Sequence, residues 1–367
     1  MRIAIVIDAL RKGGTERHAL DVTLELMRAG HDVELIHYSD AGPKYDHPAL
    51  HHAKVVFLPK KGKSPRFLWR LRQYLKHGGF DVVQVYLGEA CIYGCLAGWL
   101  AGAPVVLGAF QNVYACRGLT RLCHRLVNRV ATGWVVNARF IVDSMMASIG
   151  GRREKFFVIY NGVDPKAFES ELTPDEAKRK VGLDADTQVV SIVGRLHAQK
   201  NHTLFLEMAK RVLARHPAAR FLIVGEGELR ASLEAHANDL GIADSVRFLG
   251  DRSDIPDLLA ATDVFVLSSH HEGSPNALIE AMSVAVPVVS TDWVGVDEVV
   301  TDGHEGFVVP RDDAEAIAEK IGQFLGDADL RRRMGTHGKE TAEKRFSLEV
   351  MTQNYISLYE RCLAAVQ

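Results

Sequence analysis

The sequence has few cysteines and no long uninterrupted apolar segment, and each shortage excludes a class of protein. Its 367 residues include no C-x-x-C pair, so we predict reduced thiols rather than a disulfide framework or a cysteine zinc site. One uncharged run, residues 91–109, contains four glycines and a proline. A membrane span needs about 20 predominantly apolar residues, so we predict a buried helix over 90–100 and then a buried strand over 104–109. The five cysteines are Cys91, Cys95, Cys116, Cys123 and Cys362.

The N-terminus lacks the pattern of a secretory signal peptide. MRIAIVIDAL runs into a strand-like apolar stretch that contains Asp8, without a long apolar region or a small-residue cleavage site. We therefore expect a cytoplasmic protein. With 47% hydrophobic and 25% charged residues the chain is too apolar to be disordered, and its length predicts two domains.

A strong net charge is also missing, but the near neutrality is an average of two opposed halves. The whole chain has 44 basic and 46 acidic residues, a formal charge of -2. Residues 1–165 have 22 basic and 13 acidic residues, a net of +9, which leaves 22 and 33, a net of -11, for residues 166–367. An anion site in the second half must therefore use a few placed cations rather than a broad positive field.

Short runs rich in Val and Ile alternate with segments of helical period throughout the chain. This alternation is typical of βαβ units around a parallel sheet, and it restarts after residue 166. We predict an α/β fold of two doubly wound, Rossmann-like domains, residues 1–165 and 166–345, joined where NGVDP and LTP supply turn residues. Ligands of such sheets bind beyond the carboxyl ends of the strands, so the strand ends hold the candidate site residues.

The first strand is followed by Gly13 and Gly14, which precede a helix. Glycines let backbone N–H groups approach a phosphate at a helix N-terminus, where the dipole favours an anion. The pair lacks the G-x-G-x-x-G spacing of a dinucleotide fold. By itself it fits an ordinary turn as well as a phosphate site.

In the second half, SIVGRLHAQKN places Arg195 and Lys200 in a strand-to-helix loop, where both cations can converge on one anion. An Arg fork with a Lys point charge suits a diphosphate. Two solvated loop cations are the alternative.

A later strand leads into SSHHEGSPNALIEAM, in which two carboxylates, Glu272 and Glu280, lie eight residues apart. Glu272 is expected in the loop and Glu280 one turn into the next helix, an arrangement that suits a ligand with several hydroxyls. The intervening Gly-Ser-Pro-Asn can present backbone N–H donors. The alternative is a loop acid and a solvating helix acid.

Taken together, these segments resemble the retaining glycosyltransferases of the GT-B fold, specifically the family-four group of nucleotide-sugar transferases. The resemblance covers nearly the whole chain: the Gly-Gly loop, VIYNGVD, GRLHAQK, FLIVGEG, VRFLG and HEGSPNALIEAM, whose Glu-x7-Glu is the most specific signature. It implies two domains that face each other across a cleft, with the acceptor on the N-terminal side. A C-terminal helix, residues 346–367, is expected to cross back to the N-terminal domain.

The resemblance also implies roles for individual residues. Arg195 and Lys200 would bind the donor diphosphate, and Glu280 the ribose hydroxyls. Glu272 would contact the donor sugar as part of the catalytic set. The other implied donor-binding residues are Gly13, Gly14, Leu249, Gly273, Ser274, Asn276 and Ala277.

The chain departs from the family at one point. Many relatives have a His after the strand that corresponds to residues 104–107, but this chain reads GAFQN and has no His between positions 90 and 123. Gln111 and Asn112 are therefore candidate sugar contacts, and no catalytic histidine is named. Members of the family need no metal, no ligand-spaced His/Cys/Asp cluster stands out, and we expect no cofactor besides the nucleotide-sugar substrate.

Two basic segments of the first half are amphipathic and predict contact with an anionic membrane surface. An aromatic residue among helical cations is typical of interfacial helices; ordinary solvated helix faces are the alternative, and no nucleic-acid motif accompanies the charge. The cations are Lys60, Lys61, Lys63, Arg66, Arg70, Arg72 and Lys76 in the first segment, and Arg117, Arg121, Arg125 and Arg129 in the second.

The resemblance, together with the basic segments, implies a metal-independent, retaining hexosyltransferase that is cytoplasmic and peripheral on the inner membrane face. It would transfer sugar from a UDP-sugar, less readily from a GDP-sugar, to a glycan or lipid-linked acceptor of a surface polysaccharide, lipopolysaccharide or glycolipid. An epimerase on the same fold would need acid and base residues around the sugar, and would convert the donor without an acceptor. A non-catalytic binding protein would bind the donor without turnover.

Overall fold

The computed structural model describes residues 1–11, 13–39, 46–62, 64–112 and 118–366. These residues form two compact units. Unit 1 contains Met1–Gly162 together with Leu348–Gln367, and unit 2 is Val163–Ser347. Each unit is built around one parallel sheet with helices on both faces, so the predicted fold class of two Rossmann-like α/β domains is confirmed.

The sheet of unit 1 has the strand order β3-β2-β1-β4-β5-β6-β7, and all the pairs are parallel. The chain therefore reverses its direction of winding between β1 and β4. The strands are β1 (Arg2–Ile7), β2 (Asp32–His37), β3 (Lys54–Phe57), β4 (Val82–Tyr86), β5 (Val105–Phe110), β6 (Gly133–Val136) and β7 (Phe156–Val158). The helices are α1 (Gly14–Arg28), α2 (Pro48–His52), α3 (Pro65–Gly78), α4 (Gly88–Ala101), α5 (Gly118–Val130) and α6 (Arg139–Ile149).

The uncharged run at residues 91–109 forms most of α4 and β5. A Cβ at Gly94 would overlap the Val85 side chain, and one at Gly98 would crowd Val83, so these glycines let α4 pack closely on the sheet. Gly108 similarly leaves room for the ring of Trp134. No helix among the described residues is both long and apolar enough to cross a membrane.

The last helix, α14 (Leu348–Ala364), belongs to unit 1. The Tyr86 hydroxyl donates to the Tyr355 hydroxyl at 3.1 Å, and a ring nitrogen of buried His18 lies 3.0 Å from the same oxygen. Tyr359 donates to Gln84 at 3.3 Å. These buried contacts attach α14 to α1 and to the centre of the sheet.

The sheet of unit 2 has the order β10-β9-β8-β11-β12-β13, again all parallel, and reverses between β8 and β11. Its strands are β8 (Val189–Val193), β9 (Arg220–Val224), β10 (Val246–Gly250), β11 (Val264–Leu267), β12 (Val288–Thr291) and β13 (Gly306–Val309). Its helices are α7 (Pro174–Lys180), α8 (His202–Arg215), α9 (Arg230–Asp239), α10 (Ile255–Ala260), α11 (Asn276–Ser283), α12 (Ala314–Gly326) and α13 (Ala328–Phe346).

Candidate functional site

The loop after β8 is held in place by the backbone of the loop after β9. The Gly194 N–H donates to Val224 O at 2.9 Å, and Leu196 N–H donates to Glu226 O at the same distance. Gly225 has φ 135°, and a Cβ there would overlap the Gly194 carbonyl oxygen. Only glycine fits this position without strain. The two loops are therefore fixed against each other at the carboxyl edge of the sheet.

Lys200 ends this loop in a tight bend. The next residue, Asn201, is left-handed with φ 48°, and its side-chain oxygen accepts from Leu204 N–H at 3.3 Å to cap α8. The Ser268 hydroxyl, from the end of β11, lies 2.8 Å from Lys200 O and 3.0 Å from Asn201 O. Hydrogen bonds from both sides of the strand-order reversal thus fix the Lys200 backbone.

An ion pair joins the two loops at the reversal. Lys200 Nζ lies 2.7 Å from Glu272 Oε1, with 22% of the Lys200 side chain and 5% of the Glu272 side chain exposed. The buried Ser269 hydroxyl donates to the same carboxylate oxygen at 2.5 Å. The structure therefore brings together two predicted site residues that are 72 positions apart in the sequence.

The loop between β11 and α11 leaves backbone donors open beside this ion pair. Gln199 anchors the loop, because its carbonyl accepts from His270 N–H at 2.9 Å and its side chain donates to His271 O at 2.8 Å. The backbone N–H groups of Gly273, Ser274 and Ala277 donate to no described residue. The start of α11 therefore offers three unused donors to an anion or a hydroxyl.

The remaining predicted residues of unit 2 lie around this edge. Arg195 is exposed, and its guanidinium has no hydrogen-bond or ion-pair partner among the residues that the structure describes. Asn276 begins α11 and its side-chain oxygen accepts from the Ser274 hydroxyl at 2.9 Å. Glu280 is buried on the same helix, whereas Leu249 is half-buried on β10, two strands away from β8.

In unit 1, Gly13 and Gly14 lie at the start of α1, as predicted for the end of the first strand. The Glu16 side chain folds back beside Gly13, so that a Cβ at Gly13 would overlap its carboxylate, while the space around Gly14 is open. Burial raises the pKa of Glu16 and also that of Asp8, and the charge of Asp8 adds to the rise for Glu16. Sequence reasoning did not single out either carboxyl group at this helix start.

Gln111 and Asn112 follow β5 directly. Gln111 is buried and Asn112 is exposed. Neither polar atom of the Gln111 amide has a hydrogen-bond partner among the residues that the structure describes, and the same is true of Asn137, which follows β6. Asn137 was missed because a single Asn matches no motif, although its position at a strand end was a usable signal.

The predicted basic segments form much of α3 and α5, which pack on either side of α4. These three helices expose large apolar side chains: Trp69, Trp99, Leu100, Leu119, Leu122 and Leu126. Exposed cations lie on the same elements: Lys61 just before α3, then Arg66, Arg70, Lys76, Arg121, Arg125 and Arg129. Two predicted cations, Lys63 and Arg117, lie outside the described residues.

The prediction is wrong for Lys60 as a surface cation. Its side chain is 8% exposed, pairs with Glu89 at 2.8 Å, and lies over the rings of Tyr38 and Tyr93. Three of the other cations have a local structural contact. Arg70 donates to Pro59 O. Arg72 donates to Leu100 O, and Arg121 donates to Ala147 O and Ser148 O. The contacts of Arg72 and Arg121 satisfy carbonyls at the carboxyl ends of α4 and α6.

Groups of three or more His, Cys, Asp or Glu that could hold a metal ion are absent from the described part of the chain. The His270 ring lies 3.7 Å from the carboxylate of Asp312, but no third ligand accompanies this pair.

Both halves of the chain match known family models. Residues 12–167 match Glycosyltransferase Family 4, and residues 174–341 match Glycosyl transferases group 1. The sequence is 30% identical over 352 residues to the UDP-Gal:alpha-D-GlcNAc-diphosphoundecaprenol alpha-1,3-galactosyltransferase of Escherichia coli, a match that covers 86% of each protein.

Two further similarities are a sequence match over half of the chain and a structural match over nearly all of it. Over 182 residues, 49% of this chain, it is 38% identical to the lipopolysaccharide core biosynthesis glycosyltransferase LpsE of Rhizobium meliloti; the match spans about half, 52%, of that relative. The crystal structure of HepE from Anabaena in complex with UDP has a TM-score of 0.86 at 20% identity and covers 98% of this chain and 100% of HepE. That likeness shows the fold.

Proposed function

The chain belongs to the family 4 glycosyltransferases of GT-B fold, and we propose that it moves a hexose-type sugar, with retention of configuration, from a nucleotide diphosphate sugar to a glycan or lipid-linked acceptor. UDP is favoured as the nucleotide because the E. coli relative is named for UDP-Gal and HepE was crystallised with UDP. The pathway would be that of a lipopolysaccharide or another surface polysaccharide, for which LpsE and the E. coli relative are named.

The observation that carries this proposal is the carboxyl edge of unit 2. The charges of Lys200 and Glu272 cancel, which leaves Arg195 as a cation without a partner among the described residues. It lies at the same carboxyl edge of the sheet as the three open N–H donors. An Arg fork and backbone donors suit the two phosphates of the donor. Glu272, a buried acceptor, suits a hydroxyl of the transferred sugar. Glu280 and Leu249 would then meet the ribose and the base.

In the proposed reaction the bond between the anomeric carbon and the diphosphate oxygen breaks as the acceptor oxygen bonds to the same carbon. The acceptor proton passes to the leaving phosphate on the same face, so no separate general base is needed. Negative charge grows on the diphosphate while the sugar becomes oxocarbenium-like. Arg195, Lys200 and the N–H groups before α11 would stabilise that charge. In many enzymes, preorganised donors of this kind make the largest single contribution to stabilising the transition state.

The test is turnover with a panel of UDP- and GDP-sugars and a GlcNAc-diphospho-lipid acceptor. Arg195→Ala should lower kcat about 100-fold, since losing one donor aimed at developing charge costs roughly 3 kcal/mol. Arg215→Ala is the matched control, because Arg215 lies at the other end of α8 and pairs with Glu315 on the surface. Full activity in Arg195→Ala would contradict the site assignment.

Retention and metal independence need separate measurements. Retention predicts that the new linkage has the α configuration when an α-linked donor sugar is supplied, which the anomeric proton coupling in NMR reports. Metal independence predicts that kcat is unchanged after the protein is dialysed against EDTA and assayed in its presence. A β linkage, or activity restored only by added Mg²⁺ or Mn²⁺, would contradict the respective part of the proposal.

We further propose that the outer surface of α3, α4 and α5 rests on an anionic membrane. Cations with exposed Trp and Leu side chains on adjacent helices support this, because both attract the headgroup region. Leu122→Glu should reduce co-sedimentation with phosphatidylglycerol vesicles, and phosphatidylcholine vesicles should bind less. Val294→Glu, at an exposed apolar residue of unit 2, is the control. Equal binding by both variants would refute this surface.

A further inference from the structure

Two buried side-chain amides follow adjacent strands in unit 1. β5 and β6 pair in register, with Phe110 opposite Val136, and Gln111 and Asn137 are the next residues of the two strands. Neighbouring strands lie about 4.8 Å apart, so the two residues are neighbours at the carboxyl edge of the sheet. Gln111 is 6% exposed and Asn137 is 3% exposed.

All four polar atoms of these two amides lack a hydrogen-bond partner among the described residues. Buried polar groups are nearly always hydrogen-bonded, and an unsatisfied amide destabilises the fold. Another buried amide of unit 1 has both of its polar atoms bonded: the oxygen of Asn128 accepts from Trp134 at 2.7 Å, and its nitrogen donates to Gly150 O at 3.0 Å. The two amides at the strand ends are therefore candidates for hydrogen bonds to a ligand.

We propose that Asn137, together with Gln111, binds the hydroxyl groups of a sugar ring. An amide presents one acceptor oxygen and two N–H donors without net charge, and a sugar hydroxyl both donates and accepts. Two adjacent amides thus match two neighbouring hydroxyls. A phosphate would leave both amide oxygens unsatisfied. This inference rests on the proposed function, because the ring is the sugar of the donor or that of the acceptor.

The geometry explains why the amides are tolerated in the ligand-free protein. A site built to hydrogen-bond a substrate hydroxyl has to keep polar groups that the fold itself does not satisfy. Such residues weaken folding and strengthen binding, so their replacement by apolar side chains of similar shape should have opposite effects on the two properties. A structural amide would instead lose stability and leave binding unchanged.

The experiment compares Asn137→Leu and Gln111→Met with wild type. The Tm of each ligand-free variant should be equal or higher, the Kd for free UDP or GDP should be unchanged, and KM for one sugar substrate should rise about tenfold. A higher KM for the nucleotide sugar assigns the site to the donor sugar, and a higher KM for the GlcNAc-diphospho-lipid assigns it to the acceptor sugar. Gln84→Met is the control, because buried Gln84 lies within β4 and is bonded to Tyr359. It should lower Tm and leave both KM values unchanged.

The inference is overturned if both variants lose several degrees of Tm while KM for donor and acceptor stay at wild-type values. Turnover by wild type tests the proposed function separately, since an active wild type with unaffected variants refutes only the amide site. If wild type shows no transfer, saturation-transfer NMR with free glucose, galactose, mannose and N-acetylglucosamine decides. Signals that Asn137→Leu abolishes support the site, and equal or absent signals refute it.

Discussion

The Lys200–Glu272 ion pair gives the sharpest stability prediction, because its two partners differ in burial. Lys200→Met removes the ammonium and leaves the Glu272 carboxylate 5% exposed, with one hydrogen bond from Ser269. Breaking a buried pair from one side costs about 3–5 kcal/mol. Lys200 is 22% exposed, so solvent screens part of that energy and we expect a loss of about 2 kcal/mol.

Glu272→Gln perturbs the same pair in a milder way. The glutamine oxygen still accepts from Ser269, and the Lys200 ammonium can turn towards solvent, so we expect a loss of about 1 kcal/mol. The double variant leaves no buried charge at all. It should therefore be more stable than Lys200→Met alone by about 1 kcal/mol. The loss in the double variant would then be about 2 kcal/mol smaller than the sum of the two single losses, a coupling energy typical of residues in contact.

The assay is thermal and urea unfolding followed by circular dichroism, at one ionic strength. For a domain of the size of unit 2, a loss of about 2 kcal/mol lowers Tm by about 4–8 °C. Lys210→Met, at an exposed residue of α8, is the control and should be neutral. The reasoning fails if Lys200→Met is as stable as wild type, or if the losses of the two single variants simply add in the double variant.

Three further predictions follow from buried groups. Burial lowers the pKa of His18 to about 4 from an ordinary 6.5. Because the unfolded chain is protonated at a higher pH than the folded protein, the free energy of unfolding should fall by about 2 kcal/mol between pH 7 and pH 5. His18→Gln should reduce that fall when unfolding is measured at both pH values. Gly225→Ala should lower Tm by several degrees through its positive φ and its overlap with Gly194, whereas Gly326→Ala should not. Lys60→Met should lower the free energy of unfolding by about 1 kcal/mol and leave vesicle binding unchanged. Reduced vesicle binding by this variant would show that Lys60 is part of the membrane-binding surface.

The fold was predictable because most of the strands are short runs dominated by apolar residues. Strands buried on both faces show no alternation, and the Val- and Ile-rich runs of β1, β4 and β8 stand out from the helical segments around them. The end of β5 was predicted at Leu107 from the strand pattern and at Ala109 from the uncharged run, whereas the strand continues to Phe110. The cause is that Gly108, usually a strand breaker, leaves space for Trp134 from the next strand.

The strand-end rule located the candidate site but not its internal contacts. It found Lys200 and Glu272 separately, yet their pairing depends on β8 and β11 being neighbours, which is a property of the sheet order. The error at Lys60 has the same origin, since Tyr38 and Tyr93 come from other elements and bury the lysine. The four-residue spacing of the arginines predicted a cationic face on α5. The exposure of Leu122 was not predictable in this way, because it depends on how that helix packs.

The most direct test of the central claim is calorimetric titration of UDP and GDP into the protein in the presence of EDTA. If the carboxyl edge of unit 2 holds the donor diphosphate, wild type and Arg215→Ala should bind one of the nucleotides with the same Kd. Arg195→Ala should bind it about tenfold or more weakly, as expected for the loss of a charged hydrogen bond. Equal Kd values for wild type and Arg195→Ala, or no binding of either nucleotide, would contradict the account.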